Sequence, residues 1–314
     1  MGEAILLRVS VILTVKNEEA TIRTTLDHLS RQTLKPSEIV VSDGGSSDRT
    51  CEILREACTE FGNIRFLTLN HATIGTGRNA AIKSATHEIL AITDGGCVQH
   101  PRWLERIISP FEDPRVDVVG GCYLPRPKSL LDFCIAEIAY PRRDRIDPNK
   151  YLPSSRSIAL RRGVWQAVGG YPEEYEYGED TFFDLAIRAR GFNVEIAREA
   201  VVFWGPPSNL KRLFKQSFHY GKGNGEARVL HFIHLSQIGV YGGGLFLLLL
   251  SIGQPLLILI VIAAAGLYLY FRAVRRLEIV RKTTATILAS CAVALTIDLA
   301  GIAGYVSGLF SRHH

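Results

Sequence analysis

Short apolar runs alternate with amphipathic stretches through the first two hundred residues. Val9 to Thr14, Glu38 to Ser42, Ile64 to Leu69 and Glu88 to Thr93 have the length and β-branched content of buried strands. Between them, Ala20 to Ser30 carries Ile22, Leu26 and Leu29 at helical spacing, Arg49 to Phe61 follows a capping Ser46-Ser47-Asp48, and Gly75 to Ala85 reads as a third helix. Strands joined by helical crossovers predict an α/β fold with a mostly parallel sheet. After Trp103 the regularity loosens. Val116 to Gly120 and Ser157 to Leu160 read as strands and Arg162 to Val168 as a short helix. Gly178-Glu179-Asp180 opens a helix that ends at Gly191.

Two of these strands end in the same tripeptide, Asp43-Gly44-Gly45 and Asp94-Gly95-Gly96. In an open α/β sheet, ligands bind outside the carboxyl ends of the strands, and glycine lets a backbone or ligand approach closely. Two carboxylates are therefore expected over one crevice. Taken alone, Asp43 and Asp94 also suit turns, and Glu179 and Asp180 suit the positive end of a helix.

Beyond residue 205 the pattern changes. Leu210, Leu213, Phe214, Ser217 and Phe218 share one helical face, with Lys211, Arg212 and Lys215 off it. Such a helix lies in a membrane interface or packs on a core. Residues 238–271 are almost wholly apolar, too long for one untilted span of a ~30 Å hydrocarbon layer at ~1.5 Å per residue. Gly253-Gln254-Pro255 near its middle permits a kinked helix or a hairpin. The basic Arg272 to Arg276 favours the hairpin, because lysine and arginine gather on the cytoplasmic side. A further span covers 285–310. It contains Asp298, which is a functional candidate or a hydrogen-bond partner for a neighbouring helix, and the helix-contact pattern Gly304-x-x-x-Gly308. The chain thus divides into a soluble domain, 1–205, an interfacial segment, 206–236, and a transmembrane region, 237–314.

Composition narrows the partners. A net charge of +5 suits a membrane surface or anionic ligands, and no long basic run points to nucleic acid. The six cysteines show no C-x-x-C spacing and read as reduced, buried thiols. The first residues lack a signal-peptide pattern, so the soluble domain is expected in the cytoplasm. Arg142, Arg143 and Arg145 could meet an anionic head group or be solvated loop charges. The sequence sets no oligomeric state.

The strand Val11 to Val15 followed by Lys16-Asn17-Glu18-Glu19, together with Arg31-Gln32-Thr33, Asp43 to Thr50, Gly77-Arg78-Asn79, Asp94-Gly95-Gly96, Arg161-Arg162, Gly169-Gly170-Tyr171 and Gly178-Glu179-Asp180, resembles glycosyltransferase family 2 in order and spacing over residues 8–200. The resemblance implies a GT-A fold and an inverting transfer of sugar from a nucleotide donor to an acceptor. Membrane attachment beside the site favours a lipid acceptor at the cytoplasmic face, a polyprenyl phosphate or a lipid-linked glycan. It places Asp43 at the nucleoside with Glu18 or Glu19 nearby, Asp94 at the metal and diphosphate, Arg78 at the donor, and Asp180 as the base. Glu179 would lie on the acceptor side. Gln216-Ser217-Phe218-His219-Tyr220 resembles the family's Gln-x-x-Arg-Trp element near the acceptor. His219 and Tyr220 stand in place of Arg and Trp, which weighs against processive polymerisation. The family's D-x-D motif has two acids, and here its third position is Gly96. A divalent metal, Mg2+ or Mn2+, would then rest on Asp94, donor phosphates and water, with His219 as a further candidate ligand. A sugar nucleotidyltransferase would need a glycine-rich basic loop where Lys16-Asn17-Glu18-Glu19 stands. A non-catalytic membrane scaffold would not need Asp43, Asp94 and Asp180 together.

Overall fold

A computed structural model describes residues 7–140, 143–148, 150–277 and 281–311. The chain forms two compact units, one of residues 1–124 and 143–204, the other of 125–142 and 205–314.

In the first unit the strands β1 (Val9–Val15), β2 (Glu38–Asp43), β3 (Ile64–Thr68) and β4 (Ile89–Asp94) alternate with helices α1 (Ile22–Ser30), α2 (Thr50–Phe61) and α3 (Ile74–Ser84). Next come β5 (Val98–Gln99), α4 (Trp103–Ile108), β6 (Val118–Pro125), β7 (Ile158–Arg161), α6 (Arg162–Val168), α7 (Glu179–Ala189) and β8 (Val194–Trp204); α5 (Leu130–Ala139) belongs to the second unit. The sheet order is β3-β2-β1-β4-β7-β6-β8-β5. Pairing is parallel across β3, β2, β1 and β4 and antiparallel from β4 to β7 and from β7 to β6, a mixed sheet whose parallel half carries the crossover helices.

The central strands are apolar on both faces because both faces are covered. Val11, Leu13, Val41 and Ala91 point to a core shared with Leu26 of α1, Leu54 of α2 and Trp103 of α4. The alternate residues Ile12, Val40, Leu90 and Ile92 point to a second core with Ile82 of α3, Val164 of α6 and Phe183 of α7. Register then fixes the site. Val15 lies opposite Asp43, and Thr14 opposite Asp94, so β1 ends between the two acids. This is where the strand order reverses, β2 lying on one side of β1 and β4 on the other.

The second unit is helical: α5, α8 (Leu210–Glu226), α9 (His231–Leu250), α10 (Leu257–Arg272) and α11 (Thr284–Leu309). Cys134, Ile135 and Ile138 of α5 are buried with Leu213 of α8 and Val293 and Ala294 of α11, which draws residues 125–142 to the C-terminal helices. The buried stripe of α8 is Leu213, Gly221, Gly223 and Gly225, while Leu210 and Phe214 of the expected apolar face stay exposed. Glycine permits its close crossing with α11. A Cβ on Gly304 would lie 2.0 Å from the Phe218 carbonyl oxygen, and one on Gly308 2.1 Å from that of Lys222. Among the described residues three helical segments, His231–Leu250, Leu257–Arg276 and Thr284–Leu309, are long and apolar enough to cross a membrane. The chain breaks between α9 and α10 around Gly253-Gln254-Pro255. Asp298 is fully buried and accepts hydrogen bonds from Tyr241 and Gln237 of α9, at 3.1 and 3.3 Å, and from Tyr268 and Arg272 of α10, at 2.6 and 2.9 Å. It ties α11 to both α9 and α10, and His231 of α9 also hydrogen-bonds the Tyr305 hydroxyl of α11.

Candidate active site

A cavity of about 280 Å³ opens at the carboxyl ends of β1, β2 and β4. Its lining includes Lys16 and Glu18 after β1, Ser42 and Gly44 at the end of β2, Thr73 and Gly77 at the start of α3, Asp94 and Gly95 after β4, and Arg156 and Trp204. Side chains lace the loops after β1 and β2 together. Asn17 takes a left-handed conformation (φ 55°), its amide donates to Ser46 Oγ, and its Oδ1 accepts from the Ser47 amide. The Glu18 amide donates to Thr50 Oγ1 at 2.8 Å. Glu19 turns to α2, accepting from the Arg49 amide at 3.0 Å, and so serves the loop; Glu18 is the acid of the pair that faces the cavity.

The two Asp-Gly-Gly ends differ. Asp43 is fully buried. Its carboxylate accepts from the Gly45 and Ser46 amides, from Ser46 Oγ and from Cys51 Sγ, which orders the loop after β2 at that end of the crevice. Asp94 is partly open, with Oδ1 accepting from Arg78 Nη2 at 2.6 Å and Oδ2 lying 4.0 Å from Arg156 Nε.

Arg78 is no surface cation. It is buried beneath the cavity, donates to Asp94 and at 2.5 Å to Glu179, and lies over the Tyr171 ring. Burial disfavours its charge, yet Asp94 and Glu179 hold its pKa above the ordinary arginine value. Burial raises the Glu179 carboxyl above the usual range, Arg78 opposes that, and Asp180 adds to it. Asp94, Arg78 and Glu179 thus form one chain from the end of β4 to the start of α7. Asp180, next along α7, accepts from Ser154 Oγ at 3.3 Å and from the Thr181 amide at 2.8 Å. One turn later Asp184 is buried, and burial followed by the Asp180 charge pushes its carboxyl well up.

Glu18, Asp43, Arg78, Asp94, Glu179 and Asp180 all belong to the first unit, whereas Gln216, His219 and Tyr220 lie on α8 of the second, where Gln216 donates to the Tyr220 hydroxyl at 3.2 Å. Arg143 pairs with Glu199 at 3.3 Å on the exposed surface; Arg142 and the Arg145 side chain lie outside the described residues. Sequence reasoning missed Arg156, whose guanidinium lies over Trp204, 4.5 Å from its ring centre, and over Tyr123. No motif marks it, because its partners come from β6 and β8. Ser42 was missed as well; it is 1% exposed, lines the cavity and has no hydrogen-bond partner among the described residues.

A divalent cation fits this donor set under one condition. No three His, Cys, Asp or Glu side chains among the described residues gather to hold a metal. The Asp94 end of the cavity, with Glu18 beside the bare Gly95-Gly96 turn, suits an ion that draws the rest of its shell from ligand phosphates and water, as Mg2+ commonly does.

The profile of the family described as Glycosyl transferase family 2 matches residues 10–169. Glycosyltransferase AglE of Haloferax volcanii is 29% identical over 248 residues, covering 73% of this chain and 77% of that protein. The O-antigen chain rhamnosyltransferase WbaN of Salmonella anatum is 26% identical over 203 residues, covering 61% and 64%. Among solved structures, the mannosyltransferase PcManGT from Pyrobaculum calidifontis in complex with GDP-Man and Mn2+ superposes with a TM-score of 0.63 at 19% identity, over 96% of this chain and 87% of that one, and shares its fold.

Proposed function

The chain belongs to glycosyl transferase family 2, and from that premise we propose that it moves a sugar from a nucleotide donor to a lipid or lipid-linked glycan acceptor at the cytoplasmic face of a membrane, inverting the anomeric centre. The observation that carries this reading is the cavity at the carboxyl ends of β1, β2 and β4, with Asp94 at one end and Ser42 and Gly44 at the other. The nucleoside occupies the Ser42–Gly44–Thr73 end, where Asp43 orders the loop that receives it. The diphosphate lies toward Lys16 and Arg156, whose charges offset its own, and Arg156 is held in place by the aromatic rings beneath it.

Asp94 would hold a divalent cation, which when bound neutralises charge on the leaving diphosphate. Arg78 and Glu179 fix Asp94 relative to the start of α7, and Ser154 orients Asp180. Asp180 takes the proton of the acceptor hydroxyl. The acceptor oxygen bonds to the anomeric carbon from the face opposite the diphosphate, which departs with the electron pair of the broken C–O bond. Three membrane-length apolar helices support a lipid-borne acceptor and a multi-pass membrane location.

The test is transfer from a panel of labelled sugar nucleotides to lipid extracts by the detergent-solubilised chain. Asp180→Asn should lower kcat by about 10²–10⁴-fold with little change in donor KM. Unchanged turnover would remove Asp180 from the base role.

A further inference from the structure

We propose that Glu18 supplies the second acid that the D-x-D position lacks at Gly96, so that the donor's cation is held between the loops after two neighbouring strands rather than by one loop alone. This rests on the transferase reading above. Gly96 adopts φ +79° directly after β4. A Cβ built on it would meet Glu18 Oε2 at 3.4 Å, Thr21 Oγ1 at 3.7 Å and Glu18 Cδ at 3.9 Å; one on Gly95 would meet Glu18 Cγ at 3.4 Å. The space into which an acidic side chain at position 96 would grow therefore already contains a carboxylate. β1 and β4 are paired with Thr14 opposite Asp94, so the loop after β1 carries Glu18 beyond the end of β4, and Glu18 and Asp94 line one cavity.

The Glu18 carboxylate is oriented rather than loose. Thr21 Oγ1 donates to Oε2, while the Glu18 carbonyl accepts from the Thr21 and Ile22 amides. Oε1 takes no protein hydrogen bond among the described residues, nor does Glu18 pair with a cation. Asp94 likewise has Oδ1 committed to Arg78 and Oδ2 on the side of Arg156. A loop acid that merely starts α1 would need no place beside the glycines of β4. At the far end, the buried Ser42 hydroxyl lines the same cavity without a partner, an independent sign that the cavity takes a polar ligand.

The experiment measures binding, not turnover. Mn2+ is titrated by electron paramagnetic resonance into the full chain in detergent, with UDP and separately GDP present, while nucleotide binding in EDTA is measured in parallel. Asp94→Asn and Glu18→Gln should each weaken Mn2+ uptake at least tenfold, with the far-ultraviolet circular dichroism of both variants matching wild type. Adding Gly96→Asp to Glu18→Gln should restore uptake, which no purely structural role of Glu18 predicts. Wild-type Mn2+ affinity in Glu18→Gln, or no recovery in the double variant, overturns the proposal and leaves the transferase reading standing. A wild-type chain that binds neither nucleotide and transfers no sugar from the labelled panel overturns that reading and this one together.

Discussion

Arg78 sits between two acids that are 16 and 101 residues away in the chain, Asp94 and Glu179. The Gly77-Arg78-Asn79 motif marked the residue, but not that it is buried or whom it serves, because both partners arrive through tertiary structure. The same holds for Asp43, legible as a strand-end acid while its saturation by its own loop was not. Removing one member of a buried charge chain leaves the others uncompensated at about 3–5 kcal/mol. Arg78→Met should therefore lower unfolding stability by about that amount in denaturant titrations of the full chain. Arg78→Lys, a single ammonium in place of a planar fork, should recover only part of it. A variant as stable as wild type would show that the chain from Asp94 to Glu179 does not hold the site together.

At the scale of elements, the first four strands and three helices follow the sequence within a residue or two, because apolar runs buried on both faces leave no other reading. β8 escaped notice because its Val194–Ala197 half is only partly buried, and β5 because two residues carry no periodicity. α5 lay hidden in a stretch rich in proline and arginine. Glu38 shows how the strands are fastened: it accepts from Ser10 Oγ on β1, from the Thr86 amide and from Arg65 on β3. Burial works against its charge, but the Ser10 and Thr86 hydrogen bonds and Arg65 prevail and bring its pKa from 4.5 to about 2. A depressed carboxylate contributes stability above its unfolded pKa and loses it as pH falls through the folded one. Glu38→Gln should thus cost about 1 kcal/mol at neutral pH, after screening at this rim, and flatten the acid-stability curve between pH 4.5 and 2. The α8–α11 crossing gives a sharper test. A Cβ at Gly304 meets backbone rather than a yielding side chain, so Gly304→Val should cost at least about 3 kcal/mol and lower the melting temperature in detergent. Gly301→Ala, with nothing near its added Cβ, should leave it unchanged.

For the whole molecule, helix length and charge support the proposed membrane path. Segments of 20, 20 and 26 residues each reach about 30 Å or more at ~1.5 Å per residue, enough to cross the hydrocarbon layer. On the proposed path the break at Gly253-Gln254-Pro255 turns the long apolar run into two crossings, which would set Arg275, Arg276 and Arg281 at the end of the second. Cations there favour the cytoplasmic side, the side on which nucleotide sugars would reach the catalytic unit. Asp298 agrees with three helices packed as a set, since its partners come from α9 and α10, and an acid in hydrocarbon is tolerated when so satisfied. Ser251→Cys and Ser311→Cys should accordingly react with a membrane-impermeant maleimide on intact cells, and Arg275→Cys only after lysis. A re-entrant α9–α10 pair would leave position 251 unreactive from outside. A single kinked span would expose position 275 to the reagent and hide position 311. The labelling pattern of these three sites therefore distinguishes the three paths.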